Sequence, residues 1–85
     1  MNTINIFGYL REKVDSYHRY LEYELPFLRA NDTAQTRIVV KYWTDQSKNI
    51  LMLLEKNSKV AISGHLDAHP EFGTIIVAEE IQQLK

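Results

Sequence analysis

Cysteine is absent from the 85 residues of this chain. Its absence excludes disulfide scaffolds, thiolate nucleophiles and zinc sites built on cysteine. Apolar runs are also short, and none approaches the roughly 20 residues of a membrane-spanning helix. Residues 1–10 lack the basic segment with which a secretory signal peptide begins. We therefore expect a cytoplasmic protein with no membrane partner.

A basic excess is missing as well. Ten Lys and Arg residues against eleven Asp and Glu residues give a formal net charge of −1. A protein that neutralises a dense array of phosphates normally carries a clear basic excess, so the composition argues against that class. A local basic stripe remains compatible with the total, because the distribution of charge matters more than its sum.

The length predicts one domain over residues 1–85. A domain of this size buries somewhat more than about 60% of its unfolded surface. Because such a core is marginal, oligomerisation is a reasonable expectation.

Four segments alternate with the period of two that is typical of a half-buried strand, over residues 1–10, 19–29, 36–43 and 59–67. A fifth segment, residues 74–78, contains a β-branched apolar run and is expected to be a strand buried on at least one face. A helix is the alternative for the second segment, but Pro26 opposes it at a cost of roughly 3 kcal/mol. Residues 79–84 extend the last strand or form one helical turn. Gly8 and Gly64 predict bends or bulges, as at a barrel corner.

Both faces of the first strand are partly apolar. We therefore expect both faces to be covered by other parts of the protein, including a second subunit. In the third strand, Ile38, Val40 and Tyr42 are expected inside, with the alternate residues outside. The reason is that Arg37 and Lys41 belong to the second set, and a buried unpaired cation is too costly.

An apolar stripe at helical spacing predicts a helix within residues 44–57. Thr44 or Asp45 can cap its first turn, and Asn57 can end it in a left-handed conformation. The order of three strands, a helix and two strands predicts a mainly β protein. We expect a five-stranded Greek-key OB-fold barrel with one helix between strands 3 and 4. A ferredoxin-like fold would need a second helix.

The order of motifs along the chain resembles a known family. Residues 37–66, RIVVKYWTDQSKNILMLLEKNSKVAISGHL, are similar to the core of bacterial single-stranded DNA-binding proteins. Within it, residues 57–66 match the family pattern G-S-K-V-x-V-x-G-x-L, with Asn57 in place of the first Gly. Residues 76–82 resemble I-V-A-x-E-I-Q, and residues 4–10 resemble V-x-L-x-G-R-L.

This resemblance covers the chain outside residues 11–35 and implies an OB fold that binds single-stranded DNA or RNA. Two departures are visible: the loop over residues 69–73 is shorter than the family's arm, and the family's acidic C-terminal tail is not present. In both respects the chain is similar to primosomal replication protein N, a dimeric relative. The resemblance thus implies a homodimer or homotetramer, and a larger replication protein as a further partner.

Three alternate residues of the third strand form the first candidate site. Arg37, Lys41 and Trp43 share its outward face. Trp43 can stack a base while the two cations contact phosphates, which predicts a platform for single-stranded nucleic acid. The alternative for Trp43 is packing under the helix or in a subunit interface.

Further candidates lie near the loops. Tyr9, Arg11 and Lys13 follow one another at the end of the first strand, where the first loop of this fold often touches ligand. Phe72 lies in the last loop, where it either stacks a base or covers the open end of the barrel. Residues 17–23 interleave aromatic and basic residues as single-strand binders do. The acidic residues nearby oppose phosphate, so a protein contact is equally expected there.

Enzymatic signatures are missing from the sequence. It contains no Gly-rich phosphate loop and no nucleophile elbow. His65, Asp67 and His69 could share one strand face and bind a metal, but ordinary exposed residues are the favoured interpretation. We therefore expect a binding module without a cofactor, and not an enzyme.

Two functions follow. The first is single-stranded DNA binding in DNA replication, repair or transfer. The alternative is an OB-fold subunit that joins a replication enzyme and has little DNA affinity of its own. Near-neutral charge, the missing acidic tail and the excess of aromatic residues on a small domain favour the second, since aromatic residues and arginine make interface hot spots.

Overall fold

A computed structural model describes residues 3–24, 35–46 and 48–85. In chain order its elements are β1 (Ile4–Lys13), β2 (His18–Glu24), β3 (Gln35–Tyr42), α1 (Ile50–Leu53), β4 (Lys59–His69) and β5 (Gly73–Gln83). The predicted second strand is confirmed as far as Glu24. Its expected continuation and the turn after it, residues 25–34, lie outside the described residues.

The strands form a closed barrel in the order β1-β2-β3-β5-β4, with β4 also paired to β1. All neighbours are antiparallel except β3 and β5, which run parallel with Val40 opposite Ile76. Closure leaves each strand paired on both sides and removes the exposed edges of an open sheet. The mainly β, five-stranded OB-fold barrel with one helix between strands 3 and 4 is thereby confirmed.

The core contains the inward residues of every strand, because alternate side chains of a strand point to the same face. Leu51 and Met52 of α1 join it. Its buried members are Leu10, Leu21, Val40, Leu51, Met52, Val60, Ile62, Ile76 and Ala78.

Gly64 lies where the pairing of β4 and β5 is irregular. The register between β4 and β5 shifts here, since Ser63 pairs with Glu80 and Gly64 with Ala78. A Cβ atom on Gly64 would lie 2.0 Å from the carbonyl oxygen of Val77, so a side chain would force the two backbones apart. The predicted bulge at Gly64 is confirmed, and β5 continues past it as a strand.

The predicted helix is present but short. Its four residues begin after Asn49, whose side-chain oxygen accepts a hydrogen bond from the Met52 amide. The expectation that Thr44 or Asp45 caps the helix is therefore wrong. Asn57 has the expected left-handed conformation, with a φ of 74°, but the expectation that it ends the helix is wrong, because α1 ends at Leu53 and Leu54 is its C-cap. Among the described residues, no helix is long and apolar enough to cross a membrane.

Arg19 is the buried charge of the structure, only 2% exposed. Its Nε donates to the carbonyl oxygen of Arg11 at 2.8 Å, and its Nη1 donates to those of Leu51, at 2.9 Å, and Leu54. The last carbonyls of a helix have no partner within it, so Arg19 of β2 caps α1 and links it to β1. Within the aromatic and basic residues 17–23, the guanidinium of Arg19 thus binds backbone carbonyl groups of its own chain.

Replacing Arg19 with alanine should lower the free energy of unfolding by about 3 kcal/mol, because buried carbonyl groups would lose their donor. Urea denaturation measures this change. The control is Arg37→Ala, the same truncation at a side chain that is 48% exposed, for which we expect a loss below about 0.5 kcal/mol. Equal losses in the two variants would contradict the structural role of Arg19.

Candidate nucleic-acid interface

The outward face of the first three strands carries a row of polar and aromatic side chains. Tyr9 of β1 lies opposite Glu22 of β2, and Glu22 lies opposite Arg37 of β3. Directly opposed residues of antiparallel strands share one face of a sheet. Strand register therefore puts an aromatic ring, a carboxylate and a guanidinium side by side.

Glu22 is the electrostatic centre of this face. Its Oε2 accepts a hydrogen bond from Arg11 Nε at 2.9 Å and lies 3.6 Å from Arg37 Nε. Arg37 also pairs with Glu12, 2.9 Å from Nη1 to Oε1. The hydrogen bond from Arg11, with the charges of both arginines, holds the pKa of Glu22 below its usual value against the effect of burial. Two arginines thus balance two carboxylates.

Each arginine also lies against a tyrosine. Arg11 Cζ is 5.4 Å from the ring centroid of Tyr9, and Arg37 Cζ is 5.3 Å from that of Tyr20. Both distances fall within the range of a cation–π contact. We call Tyr9, Arg11, Glu22, Arg37 and Tyr20 the arginine row.

A groove of about 350 Å³ adjoins the arginine row. It is lined by Tyr20, Tyr23, Arg37, Ile38, Val39, Phe72 and Thr74. Val39 points outward, as expected, yet is only 7% exposed. The groove places Phe72, from the loop between β4 and β5, on the same surface as Arg37.

Phe72 is held there by two histidines. Its ring stacks on His69 at 4.6 Å between centroids, and the ring of His18 lies 5.2 Å from each of the two. His69 Nδ1 accepts hydrogen bonds from two backbone amides of the loop. His18 Nδ1 is 2.8 Å from a carboxylate oxygen of Asp15. Although burial favours neutral Asp15, hydrogen bonds from backbone amides and His18 hold its pKa below the usual value.

Lys41 lies farther along β3, about 13 Å from Arg37 at the rise of a strand, and Trp43 follows the last residue of β3. Lys41 Nζ pairs with Asp45 Oδ1 at 3.0 Å. The Trp43 side chain is 60% exposed, and its ring is 6.0 Å from that of Tyr42. The expected platform is thus a line along the strand, with Lys41 and Trp43 outside the groove.

Of the candidates from the sequence, the structure brings Tyr9, Arg11 and Arg37 into the arginine row and Phe72 to its side. Lys13 is exposed at the end of β1, opposite Arg19. Sequence reasoning missed the central position of Glu22. The alternation of β2 showed that Glu22 faces outward, but only the register of β2 against β3 reveals that it faces Arg37.

The histidines suggested as metal ligands make other contacts. His65 Nδ1 lies 3.4 Å from a carboxylate oxygen of Glu79, and His69 stacks on Phe72. Within residues 3–24, 35–46 and 48–85, no group of three or more His, Asp or Glu side chains could hold a metal ion.

Solved structures that are similar to this chain include PriB and single-stranded DNA-binding proteins. PriB from Ralstonia solanacearum is similar with a TM-score of 0.75 and 13% identity, over 99% of this chain and 99% of that chain. The dimeric N-terminal domain of PriB from Thermoanaerobacter tencongensis has a TM-score of 0.60 and 17% identity, over 99% and 97%. A small single-stranded DNA-binding protein from Streptomyces coelicolor has a TM-score of 0.68 and 16% identity, over 98% and 95%.

No protein-family model matches the chain, and neither does any curated protein sequence. The similarity to solved structures extends over nearly the whole chain at identities between 13% and 17%. The resemblance predicted from the motifs is therefore confirmed at the level of the fold.

The lowered pKa of Glu22 predicts a dependence of stability on pH. Because the pKa is lower in the folded state, the ionised carboxylate stabilises that state fully above the unfolded-state pKa, near 4.5. This stabilisation is lost as the pH falls through the folded-state pKa. We expect Glu22→Gln to lose less stability than the wild type between pH 5 and pH 3, as measured by urea denaturation.

The control for this series is Glu55→Gln, which removes an exposed carboxylate from the turn after α1. We expect it to follow the wild-type pH dependence. Parallel curves for Glu22→Gln and the wild type would show that the arginine row contributes nothing to acid stability.

Proposed function

We propose that this protein binds single-stranded DNA through the arginine row and the adjoining groove. The observation that carries the proposal is the pairing of two guanidinium groups with two tyrosine rings beside an aromatic groove, on the outward face of an OB barrel. Aromatic rings offer stacking surfaces and guanidinium groups contact phosphates, the combination that holds single strands. Structural neighbours named as single-stranded DNA-binding proteins support it.

The aromatic residues of the groove and Arg37 have different roles in the proposed binding. Tyr20 and Phe72 border the groove, where unstacked bases can lie against their rings at about 1–3 kcal/mol per base. Arg37, which is 48% exposed, can present its planar fork to a phosphate. Stacking accepts every base, so we expect little dependence on sequence. Such binding serves replication, repair or transfer of DNA, all of which expose single strands.

Arg37→Ala should weaken binding of a fluorescein-labelled oligo-dT by about 1–2 kcal/mol, because a charge-assisted phosphate contact is lost. Tyr20→Leu should cost a similar amount through lost stacking. Fluorescence anisotropy at low salt measures both. The matched control is Lys56→Ala, which removes one positive charge from the exposed turn before β4. If all three variants lose equally, the arginine row is not the binding surface.

Salt tests the same proposal in the wild type. Neutralised phosphates release counterions, so the logarithm of the affinity should fall by about 0.7 per phosphate contact for each unit in the logarithm of salt concentration. The fluorescence of Trp43, the single tryptophan, shows whether the strand extends along β3 to its end. An affinity that does not change with salt would exclude this mode of binding.

We also propose that a second copy of the chain covers the outward face of β1 around Phe7, toward the start of the strand and away from Arg11. Phe7 is 65% exposed there and lies opposite Ala61 of β4. Beside Phe7 a cleft of about 670 Å³ extends to Ile50. The description of a PriB domain from Thermoanaerobacter tencongensis as dimeric supports this arrangement.

Phe7→Asp should weaken self-association at least tenfold, because a carboxylate would be buried against apolar residues of the second copy. Sedimentation velocity at micromolar concentrations measures this change. Leu53→Asp, at a position that is 68% exposed on α1, is the control and should leave self-association intact. A monomeric wild type would refute the proposed interface.

A specific observation favours a second function, that of a protein-interaction subunit. Trp43 and Leu53 leave large apolar side chains exposed, at 60% and 68%. Exposed aromatic side chains such as that of Trp43 anchor protein interfaces. If the folded protein produces no anisotropy change with oligo-dT at low salt, this second function replaces the first.

A further inference from the structure

The cations of the arginine row are already paired with carboxylates. Arg11 pairs with Glu22, and Arg37 pairs with both Glu22 and Glu12. A phosphate has the same charge sign and the same oxygen geometry toward a guanidinium as a carboxylate has. An incoming phosphate therefore does not meet free arginines but must replace a carboxylate.

We propose that Glu22 competes with the phosphates of DNA for Arg11 and Arg37. Its carboxylate occupies the place of a phosphate between the two guanidinium groups and so limits the affinity of the protein for DNA. This inference rests on the proposed function and goes beyond it, because it assigns to one residue the control of how tightly the strand is held.

The geometry distinguishes Glu22 from an incidental surface carboxylate. Its side chain is 13% exposed, whereas that of Glu12 is 45% exposed. Its position opposite both Tyr9 and Arg37 keeps its carboxylate in the row. The two neighbouring guanidinium groups hold the pKa of its carboxyl below the usual value. Glu22 thus cannot easily withdraw into solvent when a strand arrives, although Glu12 can.

The two arginines differ in how easily they can exchange partners. Arg11 donates to both Glu22 and Asn57, and its side chain is 23% exposed. Arg37 is 48% exposed and lies farther from Glu22, at 3.6 Å against 2.9 Å. Arg37 is therefore the residue that a phosphate captures, while Arg11 keeps Glu22 in place.

Competition changes what a phosphate contact contributes. When Arg37 leaves a carboxylate for a phosphate, one ion pair replaces another, and the net gain is smaller than at an unpaired arginine. If Glu22 is neutral, the contact at Arg37 contributes more to the affinity and releases more counterions. The consequence is a protein whose affinity for single strands depends more on stacking, and less steeply on ionic strength, than it would if both arginines were unpaired.

The test compares Glu22→Gln with the charge-matched control Glu55→Gln in oligo-dT anisotropy titrations over a range of salt concentrations. We expect Glu22→Gln to bind about twofold to fivefold more tightly at low salt, the size of an ion pair near the protein surface. We also expect a steeper salt dependence for this variant. The slope of the logarithm of affinity against the logarithm of salt concentration should become more negative by up to about 0.7, the value for one phosphate contact. Glu55→Gln should bind at most slightly more tightly than the wild type, with an unchanged salt dependence.

A double-mutant cycle separates competition from a general change in charge. In the Arg37→Ala background, Glu22→Gln should gain less than half of the increase that it produces alone, because the cation for which Glu22 competes is missing. Glu12→Gln is a second variant that does not risk the fold, since Glu12 is 45% exposed. It should tighten binding in the same direction.

Two results overturn the inference in different ways. If the wild type binds and Arg37→Ala weakens it, but Glu22→Gln binds no more tightly than Glu55→Gln, the competitor role of Glu22 is wrong and the proposed function stands. If neither the wild type nor any variant binds oligo-dT at low salt while all are folded, the proposed function fails and the inference fails with it.

Discussion

Barrel closure depends on the close approach of two backbones at Gly64. The register of β5 shifts against β4 beside this glycine, after Ala78, which also pairs with Tyr42 of β3. Because a Cβ atom would lie 2.0 Å from the Val77 carbonyl oxygen, only glycine lets β5 contact both strands. A bulge increases local twist, which a small closed barrel needs. The positions of all outward residues follow from this closure.

Once the barrel is closed, the arginine row follows from register. A strand has a period of two, so a slip of one residue would turn Glu22 inward and remove the contact with both arginines. The opposed pairs Tyr9–Glu22 and Glu22–Arg37 therefore depend on the same pairing that buries Leu21. Fold stability and the candidate site share one constraint, which makes the site rigid without a dedicated set of supporting residues.

Two arginines of neighbouring strands illustrate how burial decides the role of a residue. Arg19 is buried and donates to the carbonyl groups of Arg11, Leu51 and Leu54, so it serves the fold. Arg37 is half exposed and pairs with carboxylates, so it remains open to exchange with another anion. Both arginines count equally in the net charge, which therefore says little about the capacity of this surface to bind phosphate.

The sequence by itself determined the strands, their inward faces, the helix between strands 3 and 4 and the bulge at Gly64, because these depend on local periodicity and on the steric freedom of glycine. It also identified Tyr9, Arg11 and Arg37 as candidates. Only the tertiary structure decided that these three meet around Glu22 and that Arg19 is buried. Pairing across strands depends on register between segments distant in sequence, and local periodicity carries no information about that register.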